Sequence, residues 1–247
     1  DGFEVYDFAE ATRRADVVHV LLADPAQPAV YREFIHPNLK PGATLIDLGA
    51  GNCAKAAKLF PLLRPAQYVA IDISEDFLRA SIEPLQECFP HIAMCALGLD
   101  FSSSLELPDV VRPAQRLFFY PGSSIGNFTP DEAVAFLASV RRHCIARPGS
   151  GLLIGVDGKK PKPVLDAAYD DALGVTAAFN RNVLMHLNRR FGFDFRLEGF
   201  AHRGFYNEAL GRIEMHLEAL ADQAVNLDGQ ARRFRKGERI HTENSYK

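Results

Sequence analysis

Apolar runs too short to be helices, each cut off by a glycine, a proline or an acid, recur through the first 157 residues. Val17-Val18-His19-Val20-Leu21-Leu22 is closed by Asp24-Pro25. Ala43-Thr44-Leu45-Ile46-Asp47-Leu48 opens after Pro41-Gly42 and ends at Gly49-Ala50-Gly51. Gln67 to Asp72, His91 to Leu97, Arg116 to Tyr120 and Gly151 to Val156 follow. Continuous apolar character in such runs marks strands buried on both faces. Helix-length segments lie between them: Ala29 to Ile35, Cys53 to Leu63, and one capped by Ser74 that runs to about Glu87. Thr129-Pro130-Asp131-Glu132 opens another, with an N-cap, a first-turn proline and then acids. Strands spaced by helices predict an α/β fold, a Rossmann-like parallel sheet with helices on both faces.

After Asp157 the rhythm changes. Pro163 to Arg190 reads as helix in two pieces broken near Gly174. Phe200 to Tyr206, Arg212 to Leu217 and Gln230 to Phe234 read as strands, with turns at Asn207 to Gly211 and Asp228-Gly229. Helices followed by antiparallel strands predict an α+β cap on the α/β core. Composition excludes several function classes. The 247 residues are 47% hydrophobic, enough for a sizeable core, and the net charge of −3 gives no general attraction to nucleic acid or anionic membrane. No apolar run approaches the roughly 20 residues of a membrane span, and no secretory signal is expected. Cys53, Cys88, Cys95 and Cys144 form no CxxC pair, so reduced core thiols of a cytoplasmic protein are expected, and no metal site. Arg232-Arg233-Phe234-Arg235-Lys236 reads as a solvated edge strand.

Asp47-Leu48-Gly49-Ala50-Gly51-Asn52 carries the chemistry. Glycines at a strand-to-helix turn let the main chain approach a ligand, with helix N–H groups facing it. Asp72 ends the next strand, about 20 residues after Gly51, where a carboxylate can accept both hydroxyls of a ribose. An adenosine-containing ligand is implied, but the turn also satisfies a loose dinucleotide pattern. Two features favour S-adenosylmethionine. Asp47, two residues before Gly49, supports the loop and can reach a ligand amino group, yet would sit badly beside a pyrophosphate. Asp100-Phe101, after the following strand, offers an acceptor for an adenine amino group and an apolar cover for its ring. Lys55 can pair with a ligand carboxylate.

From about Ala43 to Lys247 the sequence resembles the histidine-specific S-adenosylmethionine-dependent methyltransferases of ergothioneine biosynthesis, which form hercynine from L-histidine. Beyond the glycine turn, the segments that carry the resemblance are Pro121-Gly122-Ser123-Ser124-Ile125-Gly126-Asn127-Phe128, Tyr169 to Asn180, Arg212-Ile213-Glu214-Met215 and Thr242-Glu243-Asn244-Ser245. The resemblance implies that Gly49, Lys55, Asp72, Asp100 and Phe101, together with Asp47 and Gly51 of the turn, bind the cofactor. It implies that Asn127 and Tyr169 hold the amino acid's α-amino and carboxylate end as the catalytic pair, and that Glu243 and Ser245 read the imidazole with Met215 packed nearby. In the family a helical N-terminal region supplies a further tyrosine, and a last helix and strand pair would follow Lys247. The expected partner is the small molecule L-histidine, bound by a monomer. His202, His216 and His241 are read as structural.

The first 40-odd residues fit a different family. Asp1-Gly2-Phe3-Glu4-Val5-Tyr6, Ala15 to Asp24 and Val30 to Leu45 resemble part of the nucleotide-binding domain of ketol-acid reductoisomerases, without that family's glycine fingerprint or metal-binding domain. The chain therefore reads as a chimera. A reductoisomerase-like fragment spans 1–43, an S-adenosylmethionine-binding core 44–157 and a substrate-binding cap 158–247, with the fragment adding one strand and two helices to the sheet. Two other readings remain: an S-adenosylmethionine-binding scaffold without turnover, and an NADP-dependent oxidoreductase fragment.

Overall fold

Parallel strands can be joined only by crossovers, and the residues between successive strands of the first half supply them. The structure is a computed structural model that describes residues 18–19, 41–113, 115–147 and 149–247. Strands β1 (Val18–His19), β2 (Thr44–Leu48), β3 (Gln67–Asp72), β4 (Ala93–Gly98), β5 (Arg116–Tyr120) and β6 (Gly151–Ile154) form one sheet in the order β1-β6-β5-β2-β3-β4. Every pairing in it is parallel. β2 and β5 are buried along their whole length, as their uninterrupted apolar runs require.

Alternation along β5 divides the core. Leu117 and Phe119 join Leu45, Tyr68 and Ala70 in a cluster with α1 (Ala54–Ala57), α2 (Phe60–Leu63) and Leu78 of α3 (Glu75–Cys88). On the other face Phe118 meets His143, and Tyr120 meets Phe136 at 5.1 Å, both from α4 (Pro130–Ile145). The sheet thus carries helices on both faces. The direction in which successive strands are added reverses at β2: β3 and β4 lie to one side, β5 and β6 to the other. Loops diverging from the carboxyl ends of β2 and β5 open the crevice where α/β sheets bind ligands.

Two local expectations change. The helix from Cys53 to Leu63 is two single turns, because Pro61 cannot donate to a continuous ladder and starts α2 instead. Ser74 stands at the N-cap of α3 without a side-chain cap bond; its backbone N–H instead donates to Asp72 Oδ1 at 3.1 Å. The start of α4 follows its sequence chemistry, with Thr129 and Glu132 closing a reciprocal capping box. Cys53 and Cys144 are buried, whereas Cys88 is exposed. The pairing of Val18 and His19 with Leu153 and Ile154 places the strand of the reductoisomerase-like segment on the sheet edge. The helix expected over Ala29 to Ile35 and the rest of that segment lie outside the described residues.

A second compact unit comprises Gly126–Phe128 and Gly158–Lys247. Helices α5 (Lys162–Tyr169) and α6 (Val175–Phe191) are separated at Gly174, whose φ of 71° favours glycine. They pack on a three-stranded antiparallel sheet ordered β11-β8-β7, from β7 (Phe200–Asn207), β8 (Arg212–Ala219) and β11 (Arg239–Tyr246). β9 (Gln223–Leu227) and β10 (Gln230–Phe234) make a separate hairpin through Asp228 and Gly229, both at positive φ. Strands β9 and β11 were not expected from the sequence. Along β8, Ile213, Met215, Leu217 and Ala219 are buried in the core, while Arg212, Glu214, His216 and Glu218 take the other face. No described helix is long and apolar enough to cross a membrane.

Gly204 of β7 marks the tightest approach in this unit. A Cβ there would lie 2.4 Å from the Tyr169 carbonyl oxygen and 2.9 Å from its carbon. Gly204→Ala must push back the end of α5, so it is expected to destabilise the chain by about 1–3 kcal/mol, as overpacking does. Urea unfolding of both proteins measures this. An unchanged midpoint would mean that the contact gives way without cost.

Candidate active site

The glycine turn is built on backbone conformations that side chains resist. Gly49 has φ +70° and Gly51 φ +51°, and Cys53 follows in the left-handed region at φ 59°. The turn is tied to the next strand: Gly51 N–H donates to Asp72 Oδ2 at 3.0 Å while Ser74 N–H takes Oδ1. A Cβ on Gly49 would point toward Phe101 and Tyr120, at 3.9 and 4.0 Å. Those two rings meet edge to face at 5.6 Å, so the glycine looks onto an aromatic wall. Lys55, exposed on α1, brings its ammonium over Gly122, where a Cβ would stand 3.0 Å from Nζ.

The acids of the first unit have different surroundings. Asp47 is 2% exposed and accepts from the Tyr68 hydroxyl at 2.8 Å. Burial raises its pKa to about 7; the Tyr68 bond and the Lys55 charge oppose the shift, and Asp72 adds to it. Asp47 therefore braces the underside of the loop. Asp100 is exposed, and its carboxylate accepts from the Ser102 hydroxyl and N–H, which hold its pKa below the ordinary value. Ile73, just beyond Asp72, is 78% exposed and offers an apolar surface that the sequence reading missed. Glycines without side chains, an acid at the end of β3 and apolar cover from Phe101 and Ile73 fit an adenosine-type group.

The second unit assembles a different set. A one-turn 3-10 helix, Ser124–Asn127, carries Gly126 so close to β11 that a Cβ would be 2.8 Å from the Tyr246 carbonyl oxygen. That approach sets Asn127 beside β11, and Asn127, His241, Thr242, Glu243 and Asn244 line one open cleft of about 380 Å³. Asn127 and Glu243 thus share a cleft. Glu243 is half-buried, and burial raises its pKa. It stands opposite Met215 in the β8–β11 register, and Ser245 stands opposite Ile213.

Tyr169 ends α5 and donates its hydroxyl proton to Ser245 Oγ at 3.1 Å; Lys247 Nζ donates to both oxygens, at 3.1 and 3.2 Å. Tyr169 and Ser245 are therefore members of one hydrogen-bonded group. Behind them, His202 Nε2 donates to the Tyr169 carbonyl at 2.7 Å, and His202 Nδ1 faces the Asn180 amide at 2.9 Å. Asn180 also donates to the His216 carbonyl, so this relay fixes α5 against β7 and β8. Sequence reasoning assigned no role to Asn180, Lys247 or Gly126. The signals were a polar residue on the inner face of α6 and a glycine just before Asn127.

A sheet that reverses at a glycine-rich turn, with acids at the ends of the neighbouring strands, belongs to the nucleoside-binding α/β class. Residues 29–247 match the family described as histidine-specific methyltransferase, SAM-dependent, and the chain belongs to that family. The histidine N-alpha-methyltransferase of Mycolicibacterium smegmatis is 38% identical over 212 residues, 83% of this chain and 64% of that protein. The one from Mycobacterium tuberculosis is 37% identical over 188 residues, 74% of this chain and 57% of that protein. The chain thus spans between about half and two thirds of these relatives' length. The family match starts at residue 29, earlier than the segments near Ala43 indicated. Residues 1–53 match the NADPH-binding domain of acetohydroxy acid isomeroreductase. The ketol-acid reductoisomerase of Caldivirga maquilingensis is 63% identical over 46 residues, 19% of this chain and 14% of that protein. Two family segments are therefore joined in one chain, and their matches overlap over 29–53.

Asp47 yields a prediction with a definite sign. Its folded pKa of about 7 lies above the ordinary 3.8, so folding takes up a proton between these values. Its favourable contribution is complete below the ordinary value and disappears as pH rises through about 7. Asp47→Asn cannot ionise and keeps an acceptor for Tyr68. Its stability relative to wild type is expected to improve by roughly 2–3 kcal/mol between pH 5 and pH 8. Urea unfolding at both pH values tests this; parallel profiles would show that Asp47 does not titrate there.

Proposed function

We propose that this chain transfers methyl groups from S-adenosylmethionine to the α-amine of L-histidine, forming the trimethylated betaine hercynine. The observation that carries the reading is the shared cleft of Asn127 and Glu243 in a chain of the histidine-specific family. The sulfonium, when bound, supplies the methyl group by direct displacement, which needs neither a metal nor a covalent enzyme intermediate.

The chain's own residues would bind and orient. The Gly49–Gly51 turn admits the ligand's backbone-facing edge, and Asp72 retains acceptor capacity beyond its two N–H bonds for ribose hydroxyls. Phe101 and Asp100 would take the adenine ring and its amino group, with Lys55 on the carboxylate. Asn127 and Tyr169 would orient the α-amine, so that its lone pair meets the methyl carbon in line with the departing sulfur. The α-ammonium would lose a proton to water before each transfer, and the bond from nitrogen to carbon would form as that from carbon to sulfur breaks.

Glu243 suits an imidazole. A half-buried carboxylate with a raised pKa gains from an N–H donor, and a site built to receive one discriminates strongly against analogues that lack it. Met215, opposite Glu243 in the register, would pack against the ring. Calorimetry and mass spectrometry test the reading. S-adenosylhomocysteine and histidine should both bind, and methylated histidines up to hercynine should accumulate. Glu243→Ala should weaken histidine at least roughly tenfold while leaving S-adenosylhomocysteine affinity intact. Binding of S-adenosylhomocysteine alone would leave a scaffold without turnover, and binding of NADPH alone would point to the reductoisomerase-like segment.

A further inference from the structure

The face of β8 and β11 turned away from the core carries a cluster with no part in methyl transfer. In the register His241 stands opposite His216, and Glu214 lies two residues along β8 on the same face. Ligand atoms of the three residues all lie within 4.8 Å of one another, and Glu214 Oε2 is 3.1 Å from His216 Nε2. We propose that Glu214, His216 and His241 bind a borderline divalent transition-metal ion, zinc being the probe of first choice.

Geometry supports this. Atoms bonded to a tetrahedral zinc at about 2.1 Å lie about 3.4 Å apart. The cluster therefore needs to close by little more than an ångström, and the exposed member, His241, is the one able to move. It stacks on His216 with ring centres 4.5 Å apart, so binding requires that ring to turn until its nitrogen faces the Glu214 oxygen.

The carboxylate is already oriented from behind. Glu214 Oε1 accepts from Arg212 at 2.8 and 3.0 Å and from Asn207 at 3.1 Å, and Arg212 in turn donates to the Tyr246 hydroxyl at 2.9 Å. Outer partners of this kind hold ligands in place and leave the second oxygen for a metal.

Two buried polar atoms on the same face have no hydrogen-bond partner among the described residues: His216 Nδ1 and Asn244 Oδ1. Asn244 stands opposite Glu214. With His216 Nε2 as the ligand nitrogen, Nδ1 points away from the ion, so of the two atoms only Asn244 Oδ1 is left to accept from a water on the ion. His241 and Asn244 also line the open cleft, which gives the ion an entry path. The donor set sets the metal class. Two imidazoles and a carboxylate whose charge is partly offset by Arg212 suit zinc, nickel or copper, and poorly suit magnesium or calcium.

The assignment stands whether or not the chain methylates histidine. Met215, Glu243 and Ser245 belong to the opposite face by register, and because His241 and Asn244 share the cleft with Glu243, the ion is titrated without histidine or S-adenosylhomocysteine so that its site is read separately. The full chain, stripped with chelator, is titrated with zinc and with magnesium in a calorimeter, and His241→Ala and His216→Gln are treated alike. One zinc per chain is expected, with no magnesium heat, and each substitution should weaken zinc at least roughly tenfold. Zinc should also raise the melting midpoint of wild type and not that of His241→Ala. His241 is exposed, and circular dichroism confirms that its variant is folded. Absence of one-to-one zinc binding, equal affinity in His241→Ala, or magnesium binding as tight as zinc would overturn the assignment.

Discussion

One carboxylate organises the cofactor end of the sheet. Asp72 accepts from Gly51 on one oxygen and from Ser74 on the other, so it closes the turn after β2 and starts α3 at once. Both donors are backbone N–H groups that would otherwise lack partners at an exposed sheet end, and charge-assisted bonds of this kind are among the stronger ones. Gly49 and Gly51 take left-handed conformations next to it without steric cost, and Cys53 takes one at a cost. The bond across β2 and β3 is what makes that cost tolerable. A residue read from the sequence as a ribose acceptor is therefore also the keystone of the loop that would bring the ligand to it.

How much could be read in advance follows from burial. β2, β3 and β5 are covered on both faces, so their apolar runs announced them, and their observed limits lie within a residue of those expected. β11 is the opposite case. Arg239-Ile240-His241-Thr242-Glu243-Asn244-Ser245 alternates imperfectly because an extra residue interrupts the period, and its polar side chains resemble a loop. The double turn of α1 and α2 was hidden by apolar residues on either side of Pro61. Ser74 had the chemistry of a cap, but the acid two residues earlier reached the N–H first. In the site, motifs pointed to Asn127 and Glu243 and tertiary contact brought them to one cleft. The coupling of Tyr169 to Ser245 and Lys247 was not legible, since it joins residues more than seventy positions apart.

The reductoisomerase-like segment meets the sheet at its least demanding position. Among the described residues β1 pairs with β6 alone, through Val18 and His19, and displaces none of the strands that carry the glycine turn or the acids. An edge strand of a parallel sheet needs one neighbour rather than two, so a foreign strand can join without altering the order β6-β5-β2-β3-β4. The overlap of the two family matches over 29–53 includes β2 itself, a strand entry that both families write in similar residues.

Thr242, the extra residue of β11, sends its hydroxyl to the Met215 carbonyl and takes no regular place in the ladder. Were Thr242 to take a regular place in the ladder, Glu243 would keep the parity of Arg239 and His241 and join the outer face among the ion pairs. Because the strand changes step there, His241 and Glu243, two positions apart, serve opposite sides: His241 and Asn244 outward, Glu243 and Ser245 inward. The bulge thus absorbs one amino acid and restores the alternation beyond it, so that Glu243 and Ser245 stay with the core-facing side chains of β8.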